Sequence, residues 1–111
     1  MKYQSVPAVK ASDMILNDAG VVLLDVRTRE EYDGELGHLR DAILIPVQEL
    51  QSRLSELDSH RGKNILIYCR SGRRSLVAAD ILQKNGHEVI NVEGGMVEWN
   101  VLKLPGIEYR R

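Results

Sequence analysis

Apolar residues occur along this chain in short continuous runs, and the stretches between the runs carry apolar residues at helical spacing. The runs predict β-strands, because they are rich in β-branched residues and leucine and are bounded by glycine, proline or polar residues. They cover residues 21–24, 43–45, 64–68 and 89–92. Residues 3–9 contain Pro7 and are therefore predicted to be an edge strand or a lead-in to the sheet.

The stretches between the strands are predicted to be helical. Ser12 and Asp13 can cap a short helix over residues 14–16 that ends near Gly20, and Thr28 can cap another with an acidic first turn. After Pro46, apolar residues recur at intervals of three, four and three, which predicts an amphipathic helix. Its buried face would comprise Val47, Leu50, Leu54 and Leu57, and its outer face Gln48, Glu49, Gln51, Arg53 and Glu56.

Two further helices complete the pattern. Apolar pairs four residues apart predict a helix that ends at Asn85-Gly86. The pairs are Val77 with Ile81 and Ala78 with Leu82. Met96, Val97 and Trp99 are predicted to pack as a short helix after a turn at Gly94-Gly95. Strands that alternate with helices in this way indicate an α/β protein with a parallel sheet and right-handed crossovers.

The only cysteine, Cys69, follows the strand at 64–68 and precedes a tight loop and a helix. Open α/β sheets bind their ligands at this edge, at the carboxyl ends of the strands. Main-chain N–H groups that lead into a helix form a concavity for anions, with the positive end of the helix dipole behind it. We therefore expect Cys69 to be held as a thiolate, with a pKa below about 8.5.

The residues after Cys69 support this prediction. Arg70, Arg73 and Arg74 favour a thiolate through their charge, and Gly72 allows a tight turn. The alternative is a structural cysteine that packs as a small apolar residue, which the nearby arginines argue against. The functional interpretation requires that the thiol is not buried beneath packed side chains and that the neighbouring amides point toward it.

Size and charge narrow the classes of protein. With 111 residues, 43% of them hydrophobic, we expect residues 1–111 to form one globular domain. A net charge of −1 gives no reason to expect binding to nucleic acid or to an anionic membrane. There is no apolar run near the ~18 residues of a membrane span and no signal peptide, so we expect a cytoplasmic protein. One cysteine allows no internal disulfide, and we expect no metal and no cofactor.

Four ordered segments resemble the rhodanese sulfurtransferase family, over about residues 21–105. The CxxGxR pattern from Cys69 to Arg74 is similar to the active-site loop of that family. The other segments are residues 23–27 with Glu30-Glu31-Tyr32, residues 37–39 with 42–46, and residues 92–99. Two departures are Asp41, where the family usually has glycine, and residues 33–36, which look longer than the usual link.

The resemblance implies a three-layer α/β fold, with a mostly parallel five-stranded sheet and helices on both faces. It also implies that Cys69 is the catalytic nucleophile and carries a persulfide. Arg70 is also arginine in some thiosulfate-using members, which favours thiosulfate over mercaptopyruvate as the sulfur donor. The expected partners are a small anionic sulfur donor and an acceptor, either cyanide or a thiol, including that of a redox protein.

The loop length separates two anion chemistries. Cysteine phosphatases place an arginine six positions after the cysteine, whereas Arg74 is five positions after Cys69 and Ser75 follows it. The smaller loop suits a single sulfur atom. We expect the thiolate to take the outer sulfur of thiosulfate, release sulfite and pass the sulfur to the acceptor.

The loop residues have predicted roles in this scheme. The N–H groups of residues 70–74, including Ser71 and Gly72, would bind the transferred sulfur. The guanidinium groups of Arg70, Arg73 and Arg74 would bind the donor and the departing sulfite.

Several other residues are given two interpretations each. Asp25 and Arg27 reach the same sheet edge as Cys69. They form either a salt bridge that caps loops or direct contacts with substrate. Together with Ser75, they are expected to support the site. His38 is a base for Cys69 or a structural loop residue, and the resemblance favours the second. Trp99 is a core anchor or a stacking surface for substrate, and the first is favoured.

Two other classes of protein stay open. The domain could be a persulfide carrier or an interaction module that a partner protein loads with sulfur. A phosphatase or arsenate reductase of related fold is disfavoured by the short loop, and activity on p-nitrophenyl phosphate would reveal it.

Overall fold

A computed structural model describes residues 3–109 and places seven strands within them, numbered here in chain order. They are β1 Gln4–Pro7, β2 Val22–Asp25, β3 His38–Leu39, β4 Ile43–Leu44, β5 Asn64–Tyr68, β6 Glu88–Glu93 and β7 Ile107–Glu108. Five of them form a sheet of order β1-β6-β5-β2-β4, and every pairing in it is parallel. The remaining two, β3 and β7, form a small antiparallel pair.

Helices cover both faces of the sheet, as predicted. They are α1 Ala8–Asn17, α2 Arg29–Tyr32, α3 Val47–Leu50, α4 Arg73–Lys84 and α5 Gly95–Val101, with a 3-10 helix at Gln51–His60. Because side chains alternate along a strand, β5 sends Ile65 and Ile67 toward α3 and α4, and Leu66 and Tyr68 toward α1 and α5. Within residues 3–109, no helix combines the length and the apolar character that a membrane crossing requires.

The predicted strands are confirmed with shifts of one or two residues. β1 is an edge strand and ends at Pro7, so the last residues of the predicted segment belong to α1. β2 begins one residue later than predicted and includes Asp25. β4 is the opposite edge strand and ends before Ile45. β5 lies in the middle of the sheet, so the residue after it is placed between neighbouring strands on both sides.

The predicted start of the first helix is wrong. α1 begins at Ala8, and Ser12 lies inside the helix and is only 4% exposed. The extended backbone of Pro7 precedes the helix, and no side chain caps it. Ala8, Ala11 and Ser12 are small residues that pack this helix closely against the sheet. Packing therefore sets the position of α1, and the capping signal at Ser12-Asp13 is not used.

The amphipathic helix predicted before β5 is interrupted. α3 has four residues, a 3-10 helix follows, and Arg53 leaves the helical conformation with φ −119° and ψ 17°. The Arg53 guanidinium donates to the carboxylates of Glu49 at 2.9 Å and Glu56 at 2.7 Å, on either side of this break. Leu50 and Leu57 are buried as predicted. The apolar pattern therefore identifies the buried face but not the type of helix.

Residues 104–108 contact earlier parts of the chain. β7 pairs with β3, and this pairing joins the tail to the segment that follows α2. Trp99 is buried, and its indole N–H donates to the Pro105 carbonyl at 3.1 Å. The core-anchor interpretation of Trp99 is therefore confirmed.

Asp41 occupies a turn in the left-handed region, with φ 65°. Glycine adopts this conformation most easily, and aspartate is among the few other residues that tolerate it. The departure from glycine at this position is therefore compatible with a left-handed turn.

Candidate active site

The predicted order of strand, tight loop and helix is present around Cys69. β5 ends at Tyr68, residues 70–72 form the loop, and α4 begins at Arg73. Gly72 caps α4 with φ 110°, a backbone conformation that a side chain would strain. The helix N-terminus and the carboxyl end of the central strand therefore meet at the cysteine.

The sulfur of Cys69 accepts hydrogen bonds from the loop. The Gly72 N–H donates to Sγ at 3.0 Å, and the N–H groups of Ser71 and Ser75 are also directed at it. Ser75 Oγ lies 3.5 Å from Sγ. The neutral thiol donates to this oxygen, whereas the hydroxyl donates to the sulfur once Cys69 is a thiolate. The amides that surround the sulfur thus extend to Ser75, one residue beyond the predicted set.

The pKa of Cys69 is lowered from its ordinary value, as predicted. Burial by itself raises this pKa, but hydrogen bonds from the Ser75 hydroxyl and from the N–H groups of Ser75, Gly72 and Ser71 outweigh it. The main favourable cause is therefore hydrogen bonding, and not the arginine charge that the sequence suggests. Ser75 contributes through two of these bonds.

Cys69 is only 1% exposed and belongs to the apolar cluster between the sheet and α4. A structural cysteine is also expected to be buried, so burial does not distinguish the two interpretations. The hydrogen bonds do, because a packed thiol needs no set of converging N–H donors. The requirement that amides point toward the sulfur is met, whereas the prediction that the thiol is not buried is wrong, so any reaction at Cys69 also requires the covering loop to move.

The first turn of α5, which follows Gly94-Gly95, holds the main chain of the cysteine loop. The N–H groups of Met96 and Val97 donate to the carbonyls of Cys69 and Arg70, each at 3.0 Å. A Cβ on Gly95 would overlap the Cys69 carbonyl oxygen and lie 2.7 Å from that of Arg70. The first turn of α5 therefore binds the loop carbonyls, while N–H groups further along the loop face the sulfur. The sequence predicts a turn at Gly94-Gly95 directly before a helix. That position was the sequence signal for this contact with the cysteine loop.

Asp25 and Arg27 form a buried ion pair beside the loop. The two side chains are joined by bonds from Nη2 to Oδ2 at 2.7 Å and from Nε to Oδ1 at 3.0 Å. The Arg27 guanidinium also donates to the carbonyls of Gly37 at 2.8 Å and Glu31 at 3.2 Å. These contacts match the interpretation as a loop-capping pair, and they leave Arg27 no exposed surface for a substrate.

The three loop arginines have different environments. Arg74 donates to both carboxylate oxygens of Glu31, at 2.6 and 2.8 Å, and this bond lowers the pKa of Glu31 to about 2. The prediction that Arg74 binds the donor does not fit this arrangement, because its guanidinium is already paired. Arg70 and Arg73 are exposed, and within residues 3–109 their side chains make no hydrogen bond or ion pair.

His38 is placed as a structural residue. Its ring stacks on Tyr32 with centroids 3.7 Å apart, and Nδ1 lies 2.9 Å from the Tyr32 carbonyl oxygen. Nε2 lies 3.5 Å from the Glu108 carboxylate. Both ring nitrogens therefore face groups other than the cysteine, and the structural interpretation is confirmed.

Replacing Ser75 by alanine is expected to raise the Cys69 pKa, because the thiolate loses the hydrogen bond from the Ser75 hydroxyl. The midpoint of the rate of iodoacetamide alkylation against pH measures this change. Ser71→Ala is the matched control, since Ser71 uses its main-chain N–H, and its midpoint should stay at the wild-type value. Equal midpoints for Ser75→Ala and the wild type would exclude the hydroxyl as a cause.

The chain belongs to the rhodanese-like domain family, whose model matches residues 8–102. It is similar to a sulfurtransferase of Allochromatium vinosum, with 35% identity over 85% of each chain. A Bacillus subtilis protein provisionally named a sulfur carrier, YrkF, is 42% identical over 75% of this chain and 43% of its own length. Relatives of this kind indicate sulfur transfer at a general level.

The comparison with solved structures agrees with the family. A rhodanese-like domain protein from Staphylococcus aureus superimposes with a TM-score of 0.82 and 30% identity, over 97% of this chain and 99% of the other. Several curated relatives are longer proteins, and this chain spans 37 to 55% of the length of three of them.

Proposed function

We propose that this protein is a thiosulfate sulfurtransferase, which moves a sulfane sulfur to a thiophilic acceptor through a persulfide on Cys69. One observation carries the proposal. The Cys69 sulfur accepts hydrogen bonds from the loop amides and Ser75, which lower its pKa and favour a nucleophilic thiolate.

In the first half-reaction, the Cys69 thiolate attacks the outer sulfur of thiosulfate. A bond forms between Sγ and that sulfur, and the bond to the sulfonate sulfur breaks. Its electron pair leaves with sulfite. The persulfide that remains carries its negative charge on the outer sulfur, near the N–H groups of Ser71, Gly72 and Ser75.

In the second half-reaction, the thiolate of an acceptor attacks the outer sulfur of the persulfide. A new sulfur–sulfur bond forms on the acceptor, and the bond to Sγ breaks with its electron pair returning to Cys69. Cyanide acts in the same way and gives thiocyanate. The chain has one cysteine, so the sulfur must leave on another molecule.

Donor entry involves the outer part of the loop. Cys69 is 1% exposed, so the outer sulfur of a donor must pass the rim formed by residues 70–72. Arg70 and Ser71 are exposed and Gly72 is half-buried, so a small displacement of this rim opens the way to the thiolate. The exposed guanidinium groups of Arg70 and Arg73 attract the doubly charged donor to this point.

The test is direct. Purified protein is incubated with thiosulfate, and its intact mass is measured before and after addition of cyanide. We expect a gain of one sulfur atom, its loss on addition of cyanide, and the formation of thiocyanate. Absence of both the adduct and thiocyanate would refute the proposal, and hydrolysis of p-nitrophenyl phosphate would favour the phosphatase alternative.

Replacing both Arg70 and Arg73 by glutamine is expected to raise the KM for thiosulfate about tenfold, since two exposed charges each contribute up to ~1 kcal/mol. Steady-state rates of thiocyanate formation measure the KM. The effect should shrink as salt is added, because exposed charges are screened. Lys84→Gln, which removes an exposed charge at the far end of α4, is the matched control. An unchanged KM in the double variant would exclude these side chains from donor binding.

The sulfur carrier remains the second candidate, because the B. subtilis relative is provisionally named one. A carrier would hold the persulfide but exchange it slowly with thiosulfate and cyanide. Rapid loading from a persulfidated protein, together with slow turnover of thiosulfate, would favour this alternative.

A further inference from the structure

A small cleft lies beside the cysteine loop. It has a volume of about 170 Å³ and is lined by Arg27, Glu31, Gly34, Glu35, Leu36 and Arg70. One part of the lining is thus the residue that directly follows Cys69, and another part is a wall formed by Gly34, Glu35 and Leu36, within the segment of residues 33–36. This is the segment that looks longer than the usual link in the family. A molecule in this cleft would lie next to the rim through which the Cys69 persulfide is reached.

The wall formed by residues 34–36 is held in place by main-chain hydrogen bonds. The Gly34 N–H donates to the Glu31 carbonyl and the Gly37 N–H donates to the Gly34 carbonyl, each at 3.0 Å, so the chain makes two successive turns. The buried Arg27 guanidinium bonds the carbonyls at both ends, those of Glu31 and Gly37. The backbone at residues 33–36 is therefore braced, and the freedom at this wall belongs to the exposed Glu35 side chain.

Leu36 is fixed independently. The side-chain amide of Asn100 donates to the Leu36 carbonyl at 3.0 Å, and Leu36 packs against the apolar cluster that contains Tyr68 and Trp99. Its half-buried side chain gives the wall an apolar part next to Glu35.

The charges around the cleft divide into paired and free groups. Arg27 is neutralised by Asp25, and Glu31 is neutralised by Arg74. Arg70 and Glu35 are exposed, and within residues 3–109 neither side chain makes a hydrogen bond or ion pair. The lining of the cleft therefore carries one free cation, Arg70, next to the cysteine, and one free anion, Glu35, on a different segment of the chain.

We infer that Glu35 selects the sulfur acceptor, and that the preferred acceptor is an amino-acid-sized thiol carrying both a carboxylate and an ammonium group. The carboxylate would face Arg70 and the ammonium Glu35. The volume of about 170 Å³ lies below the ~300–1,000 Å³ that is usual for ligand pockets, which favours so small a molecule. This inference rests on the proposed function, since it concerns the second half-reaction.

The chemistry of the step is that of the persulfide transfer. The acceptor thiolate forms a bond to the outer sulfur, the bond from that sulfur to Sγ breaks, and Cys69 recovers its thiolate. Glu35 takes no part in these bonds. Its carboxylate attracts an ammonium group and repels a purely anionic thiol, so it changes the concentration at which an acceptor becomes effective.

Three thiols test the contributions of the carboxylate and the ammonium group separately. L-Cysteine carries both groups, 3-mercaptopropionate lacks the ammonium, and cysteamine lacks the carboxylate. Protein loaded with persulfide from thiosulfate is mixed with each thiol, and the loss of the extra sulfur is followed by intact mass. Each thiol is compared between variants, so differences in thiol pKa cancel. The readout is the thiol concentration that gives half the maximal rate.

Glu35→Gln is expected to raise this concentration about threefold for L-cysteine and for cysteamine, and to lower it for 3-mercaptopropionate, in keeping with an exposed charge pair. Relative to the wild type, Glu35→Lys should raise this concentration further for L-cysteine and cysteamine and lower it further for 3-mercaptopropionate. Glu30→Gln is the matched control, because Glu30 is an exposed glutamate in the neighbouring helix α2 that does not line the cleft.

The outcomes distinguish this inference from the proposed function. If thiosulfate does not load the wild-type protein, the proposed function fails. If loading is normal and Glu35→Gln and Glu35→Lys change the three thiols alike or not at all, only the role of Glu35 is overturned. Equal effects of Glu30→Gln and Glu35→Gln would likewise overturn it, since a general change in surface charge would then be the cause.

Discussion

Replacing Cys69 by serine is expected to abolish sulfur loading from thiosulfate and all formation of thiocyanate. Serine has nearly the same shape but no thiolate, so it can form no persulfide. Cys69 is the chain's only cysteine, and no other thiol can take over. Intact mass after incubation with thiosulfate and a colour assay for thiocyanate both measure the loss.

The wild-type protein blocked with iodoacetamide is the matched control, because it keeps the whole backbone and lacks only a free sulfur. Both samples should keep the far-UV circular dichroism of the untreated protein. Persistent thiocyanate formation by Cys69→Ser would mean that sulfur is transferred without a covalent intermediate on this chain, contrary to the proposed mechanism.

Replacing Gly95 by alanine is expected to reduce persulfide formation at least about a hundredfold and to lower the free energy of unfolding by about 2–4 kcal/mol. The new Cβ would overlap the carbonyl oxygen of Cys69. This oxygen belongs to the main chain, so it cannot move away by a side-chain rotation. Relief requires the loop to move, and that movement breaks the bonds from Met96 and Val97 to the loop carbonyls. Urea denaturation and the rate of persulfide formation measure the two effects.

Gly62→Ala is the matched control. Gly62 also has a positive φ, of 85°, but a Cβ there would meet nothing within 4 Å. This variant should lose about 1–2 kcal/mol from backbone strain alone and keep the wild-type rate of persulfide formation. If Gly95→Ala and Gly62→Ala lowered the free energy of unfolding equally and both kept nearly the wild-type rate of persulfide formation, the contact between Gly95 and the cysteine loop would have no part in forming the site.

The parts of the fold that depend on local sequence were predicted well. Asn64–Tyr68 is an apolar run with polar neighbours, and the helix after Cys69 has apolar pairs at its own spacing and a clear end at Asn85-Gly86. Thr28 also caps α2 as predicted, and Glu31 completes a capping box. In each case the residues that specify the structure lie within a few positions of it.

The parts that failed depend on contacts between distant segments. α1 begins where small residues allow close packing on the sheet, which no pattern within Ala8–Asn17 reveals. The pairing of β3 with β7 joins His38 to Glu108, and two-residue strands carry almost no signal of their own.

The candidate site shows the same division. The sequence identifies Cys69 and its loop, because the residues are consecutive and their chemistry is plain. It does not separate Arg74 from Arg70, since Arg74 differs only in meeting Glu31, forty-three positions away. Nor does it show that Ser75 supplies two bonds to the sulfur, which follows from the first turn of α4.

The bracing by Arg27 has a consequence for engineering. Arg27 binds the carbonyls of Glu31 and Gly37, so both ends of the intervening segment are held in place. Neither of these contacts involves Cys69. Within residues 33–36, the exposed Glu35 is therefore the position to vary, because Gly34 has little space for a side chain and Leu36 packs against the apolar cluster. Under the proposed role of Glu35, a library at this position is expected to change which thiol receives the sulfur while the reactive cysteine and its amides stay intact.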